Sequence, residues 1–201
     1  LARAAGVAIN DSVGEVTDSA DGAANVYTTL PNKGIDFLGA LRGRGYTDLN
    51  AFQKTIYLQD GYLKYGKTDC QSGLILPLMK IEGEQDIVVN FQWCAHISGQ
   101  LNPDKVKLVV AIEGPGYVET AGGLTDAKVS DEIVGTQTVG QMYWMDASVK
   151  VYGATKSTFI TIRPSKIGTQ ENAVTGVFRY YLDNIEVLPA SEATPANLIV
   201  E

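Results

Sequence analysis

The sequence predicts an all-β fold, a sandwich or barrel of short antiparallel strands, on three observations. From Thr55 onward, apolar residues recur at every second position in a series of short runs. Turn-rich segments, among them Gly114-Pro115-Gly116 and Ala121-Gly122-Gly123, separate those runs. No long helical period interrupts them. Composition agrees: 21 glycines and a charged fraction of 19% suit strands joined by many turns better than solvated helices.

Residues 1–34 are small and polar, with no period of 2 or 3.6, and read as loop. Within 35–53 one short helix is expected around Phe37 to Arg42. Ile56-Tyr57-Leu58 and Tyr62-Leu63-Lys64-Tyr65 flank Gln59-Asp60-Gly61, an Asp-Gly hairpin signal. Leu74 to Ile81 reads as a strand containing Pro77, so it is expected at a sheet edge or with a bulge. Strands follow at Asp86 to Ile97, Val106 to Glu113, Tyr143 to Tyr152, Thr158 to Arg163 and Val177 to Leu188.

Alternation assigns faces to these strands. Ile87, Val89, Phe91, Trp93, Ala95 and Ile97 face the core, with Val88, Asn90, Gln92, Cys94 and His96 opposite. Val106, Leu108, Val110 and Ile112 point inward, as do Met145, Ala147, Val149 and Val151, then Ile160 and Ile162. Trp144, Ser148, Lys150, Tyr152, Phe159, Thr161 and Arg163 point outward. A chain of 201 residues buries roughly 70% of its unfolded surface and needs no metal or disulfide to fold. Cys70 and Cys94 leave both a bridge and two free thiols open.

Charge narrows the partners. The net charge is −7 and the 16 basic residues are scattered, which disfavours nucleic acid and anionic membrane surfaces. No apolar run is long enough to cross a bilayer as a helix. The opening LARAAGVAIN has neither an initiator Met nor a signal-peptide layout and reads as the start of a trimmed fragment.

The runs IYLQ (56–59), YLK (62–64), FQWCAH (91–96) and FRYYLDNIEV (178–187) are the most distinctive. Through them, residues 50–188 resemble galactose-binding-like jelly rolls from surface proteins of glycan-foraging gut bacteria, a group found beside BACON-type domains. The resemblance implies an antiparallel jelly-roll β-sandwich over 50–188, an irregular capping segment over 1–49 and a tail over 189–201. It also implies a non-catalytic carbohydrate-binding module of an exported lipoprotein or secreted protein, at the outer-membrane surface or in the periplasm. The alternative is a structural or protein-interaction module of an outer-membrane glycan-uptake complex.

Candidate site residues follow from the outward face. Asn90, Gln92, His96, Trp144, Lys150, Tyr152, Arg163 and Arg179 supply the rings and bidentate polar groups that sugars require. The same face could instead pack against a neighbouring domain. Asp183 shares its alternation with Ile185 and Val187 and is expected inside, where a carboxylate must meet hydrogen-bond donors or a cation. In related jelly rolls an acidic residue at this ending helps hold a structural calcium, with Asp36, Asp48 or Asp60 as partners here; a hydrogen-bonded structural Asp is the other reading. No cofactor is otherwise expected. His96 is the sole histidine and lies about 6.5–7 Å along the strand from Cys94, too far for a nucleophile–base pair. The remaining enzymatic route is a carboxylate pair among Glu113, Glu119, Asp126, Asp131 and Glu132.

Overall fold

The computed structural model describes residues 29–30, 35–36, 41–49, 56–58, 62–97, 102–135, 143–168 and 174–192. The strands are β1 (Thr29–Leu30), β2 (Ile35–Asp36), β3 (Thr47–Leu49), β4 (Ile56–Leu58), β5 (Leu63–Tyr65), β6 (Gly73–Ile75) and β7 (Gln85–Ala95). They continue as β8 (Lys107–Glu113), β9 (Tyr117–Val118), β10 (Ile133–Val134), β11 (Met145–Ala154), β12 (Phe159–Pro164) and β13 (Tyr180–Pro189). Among the described residues they form a large sheet in the order β4-β5-β13-β7-β11-β9, a small sheet in the order β10-β8-β12-β6-β3, and the pair β1-β2. All pairings are antiparallel. The fold is the expected all-β sandwich.

Two-residue alternation builds its interior. Ile87, Val89, Phe91 and Trp93 of β7 meet Leu108, Val110 and Ile112 of β8, Val149 and Val151 of β11, and Ile160 and Ile162 of β12 in one buried cluster. A fully buried indole such as that of Trp93 contributes on the order of 3–5 kcal/mol, judged by its truncation to alanine. Tyr65 and Tyr180 stack at 5.1 Å in the same core, with the Tyr180 hydroxyl donating to the Ser72 carbonyl at 2.9 Å.

Several expectations change. The strand foreseen at Leu74 to Ile81 ends at Ile75, and it lies between β12 and β3 rather than at an edge. Pro77 therefore terminates β6 instead of marking an exposed strand, because it has no N–H for the ladder. Ile97 leaves the main core and packs with Cys94 and Tyr181, since alternation lapses where β7 stops at Ala95. Thr47–Leu49, placed in the capping segment by the sequence, forms the edge strand of the small sheet. The helix expected at Phe37 to Arg42 is seen only at Leu41 and Arg42, and its first part lies outside the described residues. The turn Gln59-Asp60-Gly61 also lies outside them, although β4 and β5 pair as a hairpin requires.

Asp183 is the clearest correction. Leu182 is buried in the core at 2% exposure, so its neighbour Asp183 faces outward beside Gln92. Register then shifts between Asp183 and Glu186, with Asn184 at φ 48°. This bulge inserts an extra residue and returns Ile185 and Val187 to the core side. The Asp183 carboxylate accepts a hydrogen bond from the Asn184 backbone at 2.8 Å. Among the described residues no group of three or more His, Cys, Asp or Glu side chains gathers; Asp60, one of the expected calcium partners, lies outside them.

Candidate functional site

The cleft begins with a strand that is too short. β9 pairs with β11 only at Val151 and Tyr152, and the last backbone bond on that side runs from the Glu119 N–H to the Lys150 carbonyl at 2.9 Å. Below that point, Ser148, Val149 and Lys150 floor a cleft of about 380 Å³. Glu119, Thr120 and Ala121 form one wall, and Ser130, Asp131, Glu132 and Ile133 form the other.

Non-local hydrogen bonds fix both walls. The Asp131 carboxylate accepts from the Ala121 N–H at 2.6 Å, tying one wall to the other. Ser130 is locked to β8 through the bond from the Val110 N–H to its hydroxyl at 3.0 Å. Glu119 accepts from the Tyr152 hydroxyl at 2.8 Å, and that hydrogen bond, with some desolvation, pushes the Tyr152 phenol up. Glu132 is held below the usual carboxylate range by hydrogen bonds from Lys107 and Ser165.

Tyr152 adjoins Glu119 and Lys150, which line the cleft, at its β9 end. Tyr117 and Tyr152 stack at 4.9 Å and 20°, and the Lys150 ammonium sits 4.3 Å from the centre of the Tyr152 ring. The turn Gly114-Pro115-Gly116 delivers Tyr117 to this position. Thr158 donates to the Pro115 carbonyl at 2.8 Å and Lys128 donates to the Gly114 carbonyl at 2.9 Å, so the turn is held from both sides.

Of the residues expected on one binding face, the cleft takes Lys150 directly and Tyr152 at its border. The others are placed elsewhere. Gln92 lies in a ladder across three strands, donating to Asp146 at 2.9 Å and accepting from the Asn184 side chain at 2.6 Å. Asn90 is half-buried beside Ser148. His96 is 3% exposed, with Nδ1 2.6 Å from the Tyr181 hydroxyl. Trp144 is half-buried and packs edge-on against Tyr62 at 5.3 Å, its indole N–H buried without a partner. Arg179 grips Asp104 through Nε at 2.7 Å and Nη2 at 2.9 Å. Arg163 stands on the small sheet, not with the others, and donates to the Pro164 carbonyl at 2.9 Å. Alternation sorts residues by face within a strand but does not say to which layer the strand belongs.

Residue-type reasoning passed over Tyr117, Thr120, Ser130 and Ser148. The available signal was a Gly-Pro-Gly turn directly before a tyrosine, followed by a loop rich in Ser, Thr and acids. Of the five acids that the sequence offers for a carboxylate pair, Glu119, Asp131 and Glu132 line the cleft, whereas Glu113 and Asp126 are exposed and do not. Glu132 is poorly suited to act as a general acid, because catalytic acids need a raised pKa.

Both cysteines are free thiols, Cys70 half-buried and Cys94 buried. Burial pushes the Cys94 thiol up to about 12, against a smaller lowering by a backbone hydrogen bond at Tyr143. A raised folded pKa contributes stability that is complete below the ordinary thiol range and is lost as pH rises toward 12. Native alkylation at pH 8 is therefore expected to modify Cys70 well before Cys94, as peptide mass mapping would show. Equal labelling of the two would contradict this burial.

No protein-family model matches the chain, and no curated protein matches it by sequence. Solved structures resemble it only distantly. The K3 cleaved adhesin domain of Lys-gingipain from Porphyromonas gingivalis w83 shares 13% identity at a TM-score of 0.40, over 71% of this chain and 91% of that one. The CBM22-1 xylan-binding domain of Xyn10C from Paenibacillus barcinonensis shares 15% at 0.40, over 74% and 88%. TmCBM61, solved in complex with β-1,4-galactotriose, shares 11% at 0.36, over 72% and 82%.

Proposed function

We propose that this domain is a non-catalytic carbohydrate-binding module of an exported bacterial surface protein, and that the cleft beside Tyr117 holds the sugar. The observation that carries this reading is convergence. Thr120, Ser130 and Ser148, the acids Glu119, Asp131 and Glu132, and Lys150 line one concavity, and the Glu119 carboxylate and Lys150 ammonium both contact Tyr152, on which Tyr117 stacks. Glu119 and Asp131 each spend one contact on the scaffold and keep further acceptor positions for sugar hydroxyls. Among the described residues Tyr117 has no ring or cation contact besides Tyr152, so it is the ring that can stack on a sugar C–H face. Three carboxylates against one ammonium favour neutral sugar rings in the cleft itself.

The protein-interaction alternative calls for a broad apolar patch with a polar rim. Among the described residues the exposed large apolar side chains, Leu78, Leu124, Val129, Val134, Tyr143, Phe159 and Val177, are spread over the loop after β6, the β9–β10 loop, β10, the approach to β11, β12 and the approach to β13. A glycan array spanning plant and host sugars tests the reading, followed by calorimetry on the best oligosaccharide. Tyr117→Ala and Lys150→Ala are each expected to weaken binding about tenfold, the equivalent of roughly 1.4 kcal/mol. Wild-type protein that bound nothing on the array would favour the interaction reading instead.

A further inference from the structure

A second hollow, of about 100 Å³, opens on the other side of Glu132. Lys105, Lys107, Ser165, Lys166 and Phe178 line it together with Glu132 and Pro164. It lies where the start of β8, the end of β12 and the approach to β13 come together. We propose that this hollow is an anion subsite that takes one carboxylate or sulfate ester carried by an otherwise neutral glycan in the cleft.

Charge makes the case. The chain carries a net charge of −7, yet here three lysines line a hollow that holds a single carboxylate residue. Glu132 is already committed to Lys107. Among the described residues, Lys105 and Lys166 have no ion pair, and Lys166 acts on the Glu132 carboxyl through space. Ammonium groups gathered in a concavity focus their field on its interior and attract a counter-charge there. The Ser165 hydroxyl already serves Glu132, Phe178 and Pro164 give the lining an apolar part, and the small volume suits a small group rather than an extended chain of charge.

Position supplies the link to the sugar. Glu132 lines both concavities, so a ring seated in the cleft has the hollow within reach of one substituent. The acidic cleft also sets a limit: a continuous polyanion would bring like charge against Glu119 and Asp131. The inference rests on the glycan reading for the cleft but not for the anion itself.

The test is amide-resolved NMR on the whole isotope-labelled chain, titrated with sodium glucuronate and with sodium sulfate against sodium chloride at matched ionic strength. Saturable shifts are expected at Lys105, Lys107, Ser165 and Lys166, with the stronger anion distinguishing carboxylate from sulfate. Glucuronate should also move the neighbouring cleft amides of Asp131 and Ile133. Lys105→Gln/Lys166→Gln is expected to weaken the response at least tenfold, whereas Lys105→Arg/Lys166→Arg retains it. Absent shifts, or shifts spread equally to the remote Lys80 and Lys156, would overturn the subsite. A hollow that answers to sulfate and glucuronate while the cleft answers to no sugar would keep the anion site and overturn the glycan reading.

Discussion

Replacing Asp104 with alanine is expected to destabilise the domain by about 3–5 kcal/mol, the range for removing one partner of a buried ion pair. Asp104 is 3% exposed and accepts three hydrogen bonds from Arg179: from the backbone N–H at 2.9 Å, from Nε at 2.7 Å and from Nη2 at 2.9 Å. Its own N–H donates to the His96 carbonyl at 2.8 Å, and the His96 N–H donates to the Arg179 carbonyl at 3.0 Å. The approaches to β8 and β13 and the exit of β7 are thus tied at one point. Alanine removes the carboxylate while the guanidinium stays half-buried, which is why the loss exceeds that of a surface pair. Urea unfolding of the two proteins measures the difference, and a loss below 1 kcal/mol would show that the pair is dispensable. The same geometry recasts Arg179: its truncation should appear first as lost stability.

Gly116→Ala should disrupt the cleft while leaving the two sheets assembled. Gly116 has φ 91°, a left-handed conformation that costs L residues about 1–3 kcal/mol. A Cβ there would lie 2.5 Å from the Tyr152 carbonyl oxygen, an immovable part of β11, and 3.0 Å from that of Gly153. The chain can relieve the clash only by moving away from β11, which carries Tyr117 off Tyr152 and pulls Glu119 from Lys150. We expect a destabilisation of about 3 kcal/mol, combining strain and overpacking, together with loss of sugar binding. The control is Gly123→Ala, where φ is also positive at 65° but nothing lies within 4 Å of the added carbon. That variant should bear a strain cost alone and keep its ligand. Equal loss of binding in both variants would contradict the role assigned to Tyr117.

The sheets were readable because Phe91, Trp93, Val110, Val149 and Ile162 obey a local rule, and a local rule needs only neighbouring residues. Asp183 escaped it because a bulge resets the count, and the one hint was Asn184, a residue type that tolerates positive φ. Pro77 points in sequence to an edge strand or a bulge, whereas the structure ends the strand at Ile75 before it. The binding face was harder still. His96, Trp144 and Gln92 do face outward from the large sheet, but Tyr62, Tyr181 and Asn184 come across from β13 and the loop before β5 to engage them. The cleft depends on the Asp131–Ala121 bond and on β9 ending after two residues. Neither is written in the period of any strand.

The most direct measurement is amide-resolved NMR of the whole chain with the oligosaccharide that binds best on the array. The largest shifts are expected on Thr120, Ser130, Ser148 and Lys150, with the Tyr117 ring signals moving alongside them. Shifts centred instead on Asn90, Gln92 and Trp144, with the cleft silent, would contradict this expectation.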